Sequence, residues 1–67
     1  MIEVVVNGET RKIGRRIDLQ RLIEELGLPT RRIAVELNEN VVRRKDWAEV
    51  QVSDKDKIEI IHFVGGG

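Results

Sequence analysis

Apolar and polar residues alternate at the start of the chain. Ile2, Val4 and Val6 fall on one side and Glu3 on the other, and Asn7-Gly8 follows. A repeat of two marks a half-buried strand, and Asn-Gly marks a hairpin because both turn positions want φ > 0. The pattern predicts strands at Ile2–Val6 and at about Glu9–Ile13. Val5 stands out, because it occupies the side where a polar residue is expected. After the Gly14-Arg15-Arg16 loop, Leu19, Leu22, Ile23 and Leu26 recur at i, i+3, i+4 and i+7. That is one helix stripe. Asp18 is its expected N-cap, Gly27 its C′ residue, and Pro29 keeps it from restarting. Ile33, Val35 and Leu37 alternate again as a third strand. Asn38-Glu39-Asn40 reads as a turn, and Val41-Val42 as a short fourth strand. Asp46-Trp47 begins a helical turn, with Trp47 closing one end of the core. Val50 and Val52 lead through the polar turn Ser53-Asp54-Lys55-Asp56 to a last strand, Ile58–Val64.

That last strand is apolar on both faces. Ile58, Ile60 and Val64 share one face with His62, and Ile61 and Phe63 occupy the other. Strands apolar on both faces are usually central, so the first and last strands are expected side by side in mid-sheet. One helix covers only one face of such a sheet. Val5, Ile61 and Phe63 are then left as an exposed apolar patch suited to docking a partner. A plainer alternative has Phe63 tucked under a loop, and His62 reads as an ordinary strand residue. The fold class is α+β: a roll with a mixed sheet of four to five strands packed on one helix.

Composition narrows the chemistry. The 67 residues make one domain and include no Cys, so there is neither a disulfide nor a thiolate to act as nucleophile or metal ligand. A single His makes no metal site without partners. Twelve basic and twelve acidic side chains cancel, which argues against a protein built to grip a phosphate backbone. The run Arg43-Arg44-Lys45 lacks interleaved aromatics, so it reads as a solvated face or partner contact rather than a nucleic-acid site. No apolar run approaches the roughly 20 residues of a membrane span. No cationic start with an apolar stretch suggests a secretory leader. The expectation is a cytoplasmic protein that engages neither membrane nor nucleic acid.

The chain closes on Gly65-Gly66-Gly67. Glycines bury nothing and lose the most backbone freedom on ordering, so residues 1–64 are expected as the folded domain and 65–67 as a flexible tail. Taken alone, such a tail reads most simply as a frayed end. Its one reactive group is the Gly67 carboxylate, ionised at neutral pH and able to attack the α-phosphate of ATP. Without Cβ atoms, Gly65 and Gly66 are thin enough to thread a narrow channel in another enzyme.

Several stretches together resemble one family along the whole chain. They are Met1-Ile2 with Val6-Asn7-Gly8-Glu9, Asp18-Leu19 through Leu26-Gly27-Leu28, and Ile33-Ala34-Val35-Glu36-Leu37-Asn38. Val41-Val42, Asp46-Trp47 and the ending Ile58–Gly67 continue the match. The chain resembles the sulfur carrier proteins of thiamine biosynthesis, the ThiS family. It departs from them at Asp54-Lys55-Asp56, where relatives commonly have Asp-Gly-Asp. The resemblance implies a ubiquitin-like β-grasp fold and a protein cosubstrate rather than an enzyme. It implies that an activating enzyme uses ATP to adenylate the Gly67 carboxylate. A sulfur-donating enzyme then converts it to a thiocarboxylate, and a thiazole synthase takes the sulfur. The carrier itself binds no cofactor in this scheme, and the chain has no Gly-x-x-x-x-Gly-Lys phosphate loop. Carriers for molybdopterin or tRNA thiolation, and a ubiquitin-like modifier, remain alternatives.

Overall fold

A computed structural model describes residues 1–63. Their order is β1 (Ile2–Val6), β2 (Glu9–Ile13), α1 (Leu19–Glu25), β3 (Ile33–Leu37), β4 (Asn40–Val42), a 3₁₀ helix (Arg44–Glu49) and β5 (Lys57–His62). The five strands form one mixed sheet in the order β2-β1-β5-β3-β4. β1 and β5 run parallel, and the other pairs are antiparallel. This is the β-grasp roll that the resemblance implies, with β1 and β5 adjacent at its centre.

Local chemistry sets each element. Asn7 and Gly8 both take positive φ, 49° and 83°, which suits a two-residue hairpin. Asn38 and Glu39 do the same for the β3–β4 hairpin, at 51° and 72°. Asp18 caps α1, its carboxylate accepting from the Arg21 N–H at 2.8 Å. Gly27, at φ 73°, ends the helix. With seven residues α1 is too short to persist on propensity alone. It is held by Leu19, Leu22 and Ile23, all buried against Val4, Val6, Val35 and Ile58 of the sheet. On the solvent side Glu25 pairs with Arg15 and, at 3.2 Å, with Arg21. The Arg21 hydrogen bond is the main cause that lowers the Glu25 pKa. A carboxylate with a depressed folded pKa adds stability above its unfolded pKa and loses it as pH falls through the folded value.

The 3₁₀ helix starts two residues earlier than the Asp46-Trp47 pattern suggests. Trp47, 1 % exposed, fills the core end, and its indole N–H donates to the Val42 carbonyl at 2.9 Å. After it, residues 50–52 lie along the entry to α1. Leu19 N–H donates to Val50 O, and Val52 N–H to Ile17 O. β5 begins at Lys57, one residue before the apolar run. The pattern predicted an end at Val64, which lies outside the described residues.

β5 is held partly by side chains that imitate backbone. Beyond β1, the Asn7 amide accepts from the Ile60 N–H at 2.7 Å and donates to the Ile60 carbonyl at 3.2 Å. From the other side, Asn38 accepts from the Lys57 N–H at 2.9 Å and donates to Asp56 at 3.0 Å. The preceding turn is clamped as well. Asp54 accepts from the Glu3 N–H, Asp56 from the Ser53 N–H, and Lys55 N–H donates to Glu3 O. Lys55 sits at φ 74°, a left-handed conformation that costs an L-residue roughly 1–2 kcal/mol and glycine almost nothing.

Two stability predictions follow from these turns. Lys55→Gly should stabilise the fold by about 1 kcal/mol after the entropy of the unfolded glycine is counted. In a thermal melt that is a rise of about 4–8 °C for a domain of this size. Asn7→Gly keeps the hairpin conformation but removes both bonds to Ile60. It should lower stability by about 1–3 kcal/mol, at roughly 1 kcal/mol per bond, measured by urea unfolding.

Candidate functional site

The site is the end of the sheet from which the chain passes toward its glycines. Gly65, Gly66 and Gly67, the residues assigned to threading and reaction, lie outside the described residues. Phe63 is the last residue described. Its N–H donates to the Arg32 carbonyl at 2.7 Å, so the chain is tied to the start of β3 up to that point.

The alternation along β5 decides what surrounds this exit. Ile58 is fully buried under α1 and Ile60 partly so. Ile61 and Phe63 face the side of the sheet that the helix does not cover, at 50 % and 52 % exposed. The strand geometry leaves Phe63 open to solvent rather than tucked under a loop. Ala34 of β3 lies directly opposite Ile61. It extends the apolar surface by one small side chain, and nothing in the apolar pattern of the sequence marked it for that role. Val41 of β4 is 70 % exposed on the same face but sits opposite Glu36, one step away from Ala34.

Val5 shares the uncovered face but is not brought together with Ile61 and Phe63. It pairs with Lys57 at the start of β5. Ile61 is four residues further on, about 13 Å at the usual strand rise, and Glu59 lies between them. Thr10 flanks Val5 on β2, so its neighbours are polar. The alternation put all three residues on one face correctly. It could not show their separation, which depends on the parallel register of β1 against β5.

On the helix side, Asn7, Leu28, Pro29, Ile33, Ile60 and His62 line a cleft of about 200 Å³. That is below the ~300–1,000 Å³ of typical ligand pockets. His62 is exposed there and pairs with Ile33. Among the described residues no group of three or more His, Cys, Asp or Glu side chains is placed to hold a metal ion. No described helix is long and apolar enough to cross a membrane.

Comparison with known proteins now bears on this end of the molecule. Residues 4–67 match the model of the ThiS family. The chain belongs to the ThiS family. It is 39 % identical over 49 residues to the sulfur carrier protein ThiS of Bacillus subtilis, covering 73 % of this chain and 74 % of that one. A crystal structure of the thiamine biosynthesis protein ThiS from Geobacter metallireducens superposes with a TM-score of 0.85 at 28 % identity, covering 98 % of this chain and all of that one. This chain is also 41 % identical over 66 residues to a thiazole synthase of Paramagnetospirillum magneticum. That match takes in 98 % of this chain, which spans only about a fifth of the length of the thiazole synthases it resembles. The match of the ThiS family model runs through the glycines as well as the described domain.

The uncovered face makes a simple prediction. Phe63→Asp should leave the melting temperature within a few degrees of the parent, since an exposed substitution usually changes stability by no more than about 0.5 kcal/mol. Ile58→Asp, which forces a carboxylate into the core, should unfold the domain. Far-ultraviolet circular dichroism with a thermal ramp distinguishes the two.

Proposed function

We propose that the chain is a sulfur carrier of thiamine biosynthesis that works through the carboxylate of Gly67. The observation that carries this reading is family membership along residues 4–67, glycines included. In the proposed cycle an activating enzyme binds ATP and the carrier does not. A Gly67 carboxylate oxygen attacks the α-phosphorus, and pyrophosphate leaves. The acyl-adenylate is then attacked at carbon by a sulfur nucleophile from a sulfur-donating enzyme. With an enzyme persulfide as that nucleophile, AMP leaves as an acyl disulfide forms. A second thiol of the donor then attacks the donor-side sulfur, the S–S bond breaks, and the products are the thiocarboxylate and a disulfide on the donor. A thiazole synthase accepts the sulfur, and the carboxylate is regenerated.

The residue types suit these steps. Attack at the acyl carbon is hindered by bulk beside it, and Gly66 and Gly67 supply none. Gly65 adds reach. The resemblance of this chain to a fifth of a protein named thiazole synthase supports that enzyme as the acceptor, because domains joined in one protein often act on each other's products. On this reading the carrier works in the cytoplasm, beside those enzymes. Ile61 and Phe63, with Val5 as a separate outlying contact, are the apolar surface proposed for recognition. The folded domain performs no chemistry and presents the tail.

Intact mass after co-expression with the activating enzyme tests the reading. The expected product is heavier by the difference between one sulfur and one oxygen, and alkylation localises the change to the C-terminus. Higher-mass conjugates would point instead to a protein modifier. A chain shortened by Gly66 and Gly67 should show no shift and no thiazole formation. Phe63→Asp should slow adenylation with the fold retained.

A further inference from the structure

The zero net charge conceals an uneven distribution. Arg31 and Arg32 precede β3, while Arg43, Arg44 and Lys45 follow β4. Because β3 and β4 are antiparallel, with Val35 opposite Val42, these two stretches meet at one end of the sheet. Arg44 joins them. Its guanidinium donates to Thr30 Oγ1 at 3.4 Å and stacks 5.8 Å from the centre of the Trp47 ring. All five cations are exposed. Among the described residues, Arg31, Arg32 and Arg43 take part in no ion pair, and Lys45 is matched only by Asp46 at 3.7 Å. The other end of the sheet is mixed, with Glu3, Glu39, Asp54 and Asp56 among Lys12, Lys55 and Lys57. The Arg32 carbonyl that holds Phe63 places the cationic rim at the exit of the chain.

We propose that this rim docks the enzyme that adenylates the carrier, and that this enzyme presents carboxylates around the mouth of the channel receiving the glycines. The proposal rests on the sulfur-carrier reading above and adds the chemistry of the partner surface. Any enzyme that takes Gly67 into its active site must close over the point where the chain leaves the sheet. Five clustered cations, four of them (Arg44 included) in no ion pair among the described residues, favour an acidic surface there and oppose a basic one. Ile61 and Phe63 lie beside them and supply apolar burial, while the cations steer the encounter and fix its orientation. A nucleic-acid partner fits less well. Trp47 is buried beneath Arg44, which leaves Phe63 as a single exposed ring beside the rim, whereas strand binding stacks successive bases on several aromatic faces.

The experiment is ATP–pyrophosphate exchange by the activating enzyme, with the carrier as the varied substrate. The rim variant is Arg31→Glu with Arg43→Glu. The control is Lys12→Glu with Lys57→Glu, which changes net charge equally at the other end. For the rim variant, KM for the carrier should rise about tenfold at low salt with kcat unchanged. The difference should shrink to about twofold at ~0.5 M salt, where exposed charges are screened within a few ångströms. The control should stay within about twofold of the parent. Equal KM values for parent and rim variant, or an equal rise in the control, would overturn the proposal. So would unchanged exchange alongside a loss of retardation of a transfer RNA. If the rim variant melts at a lower temperature, Arg31→Gln with Arg43→Gln reads the same KM with a smaller charge change. Absence of exchange with the parent chain would refute the carrier reading itself, a result distinct from a rim that has no effect.

Discussion

The structure depends on how β5 is held. It is the last strand of the described residues, yet it occupies the middle of the sheet, between β1 and β3. A central strand must have its peptide groups satisfied on both sides, since buried unpaired groups cost about 1–3 kcal/mol each. β1 is too short to do this alone, because it ends at Val6 while β5 continues to His62. The Asn7 amide continues the pairing by engaging both peptide groups of Ile60. Asn38 does the corresponding work at the opposite margin and the opposite end. Two hairpin-forming residues, selected in part because they tolerate positive φ, thus also lock the strand that carries the glycines.

That arrangement links packing to presentation. Ile58 and Ile60 commit one face of β5 to the core with Val4, Val35 and the α1 leucines. Strand alternation then obliges Ile61 and Phe63 to face outward. The apolar residues at the exit are therefore a geometric consequence of the residues that stabilise the fold. The activating enzyme of the proposed cycle meets a surface whose position cannot drift unless the core itself rearranges.

Most of the architecture was legible from periodicity and punctuation. Asn7-Gly8, the Leu19–Leu26 stripe with Asp18 and Gly27, and the two-sided apolar run beginning at Ile58 are local signals, and each has a local physical cause. What was not legible depends on register and long-range approach. The separation of Val5 from Ile61 follows from the pairing of Val5 with Lys57. The meeting of Arg31 and Arg32 with Arg43 and Arg44 follows from the β3–β4 pairing. Neither has a counterpart in the spacing along the chain. The side-chain roles of Asn7, Asn38, Asp54 and Asp56 were likewise hidden, because a turn residue looks the same whether or not it reaches a neighbouring strand. The reactive role assigned to Gly67 was carried by resemblance and rests on family membership rather than on the described geometry.

The central placement of β5 has a mechanical consequence. In the proposed cycle an enzyme draws on the chain beyond Phe63, and a pull along the axis of β5 enters the domain there. Its bonds to β1 and β3 run across that axis, so they bear the load in shear and share it, whereas a strand at the margin would peel away one bond at a time. A small domain in a chain without cysteine thereby gains resistance to being unravelled from the end of β5. In the proposed cycle that lets a partner grip and release the terminus repeatedly without dismantling the domain.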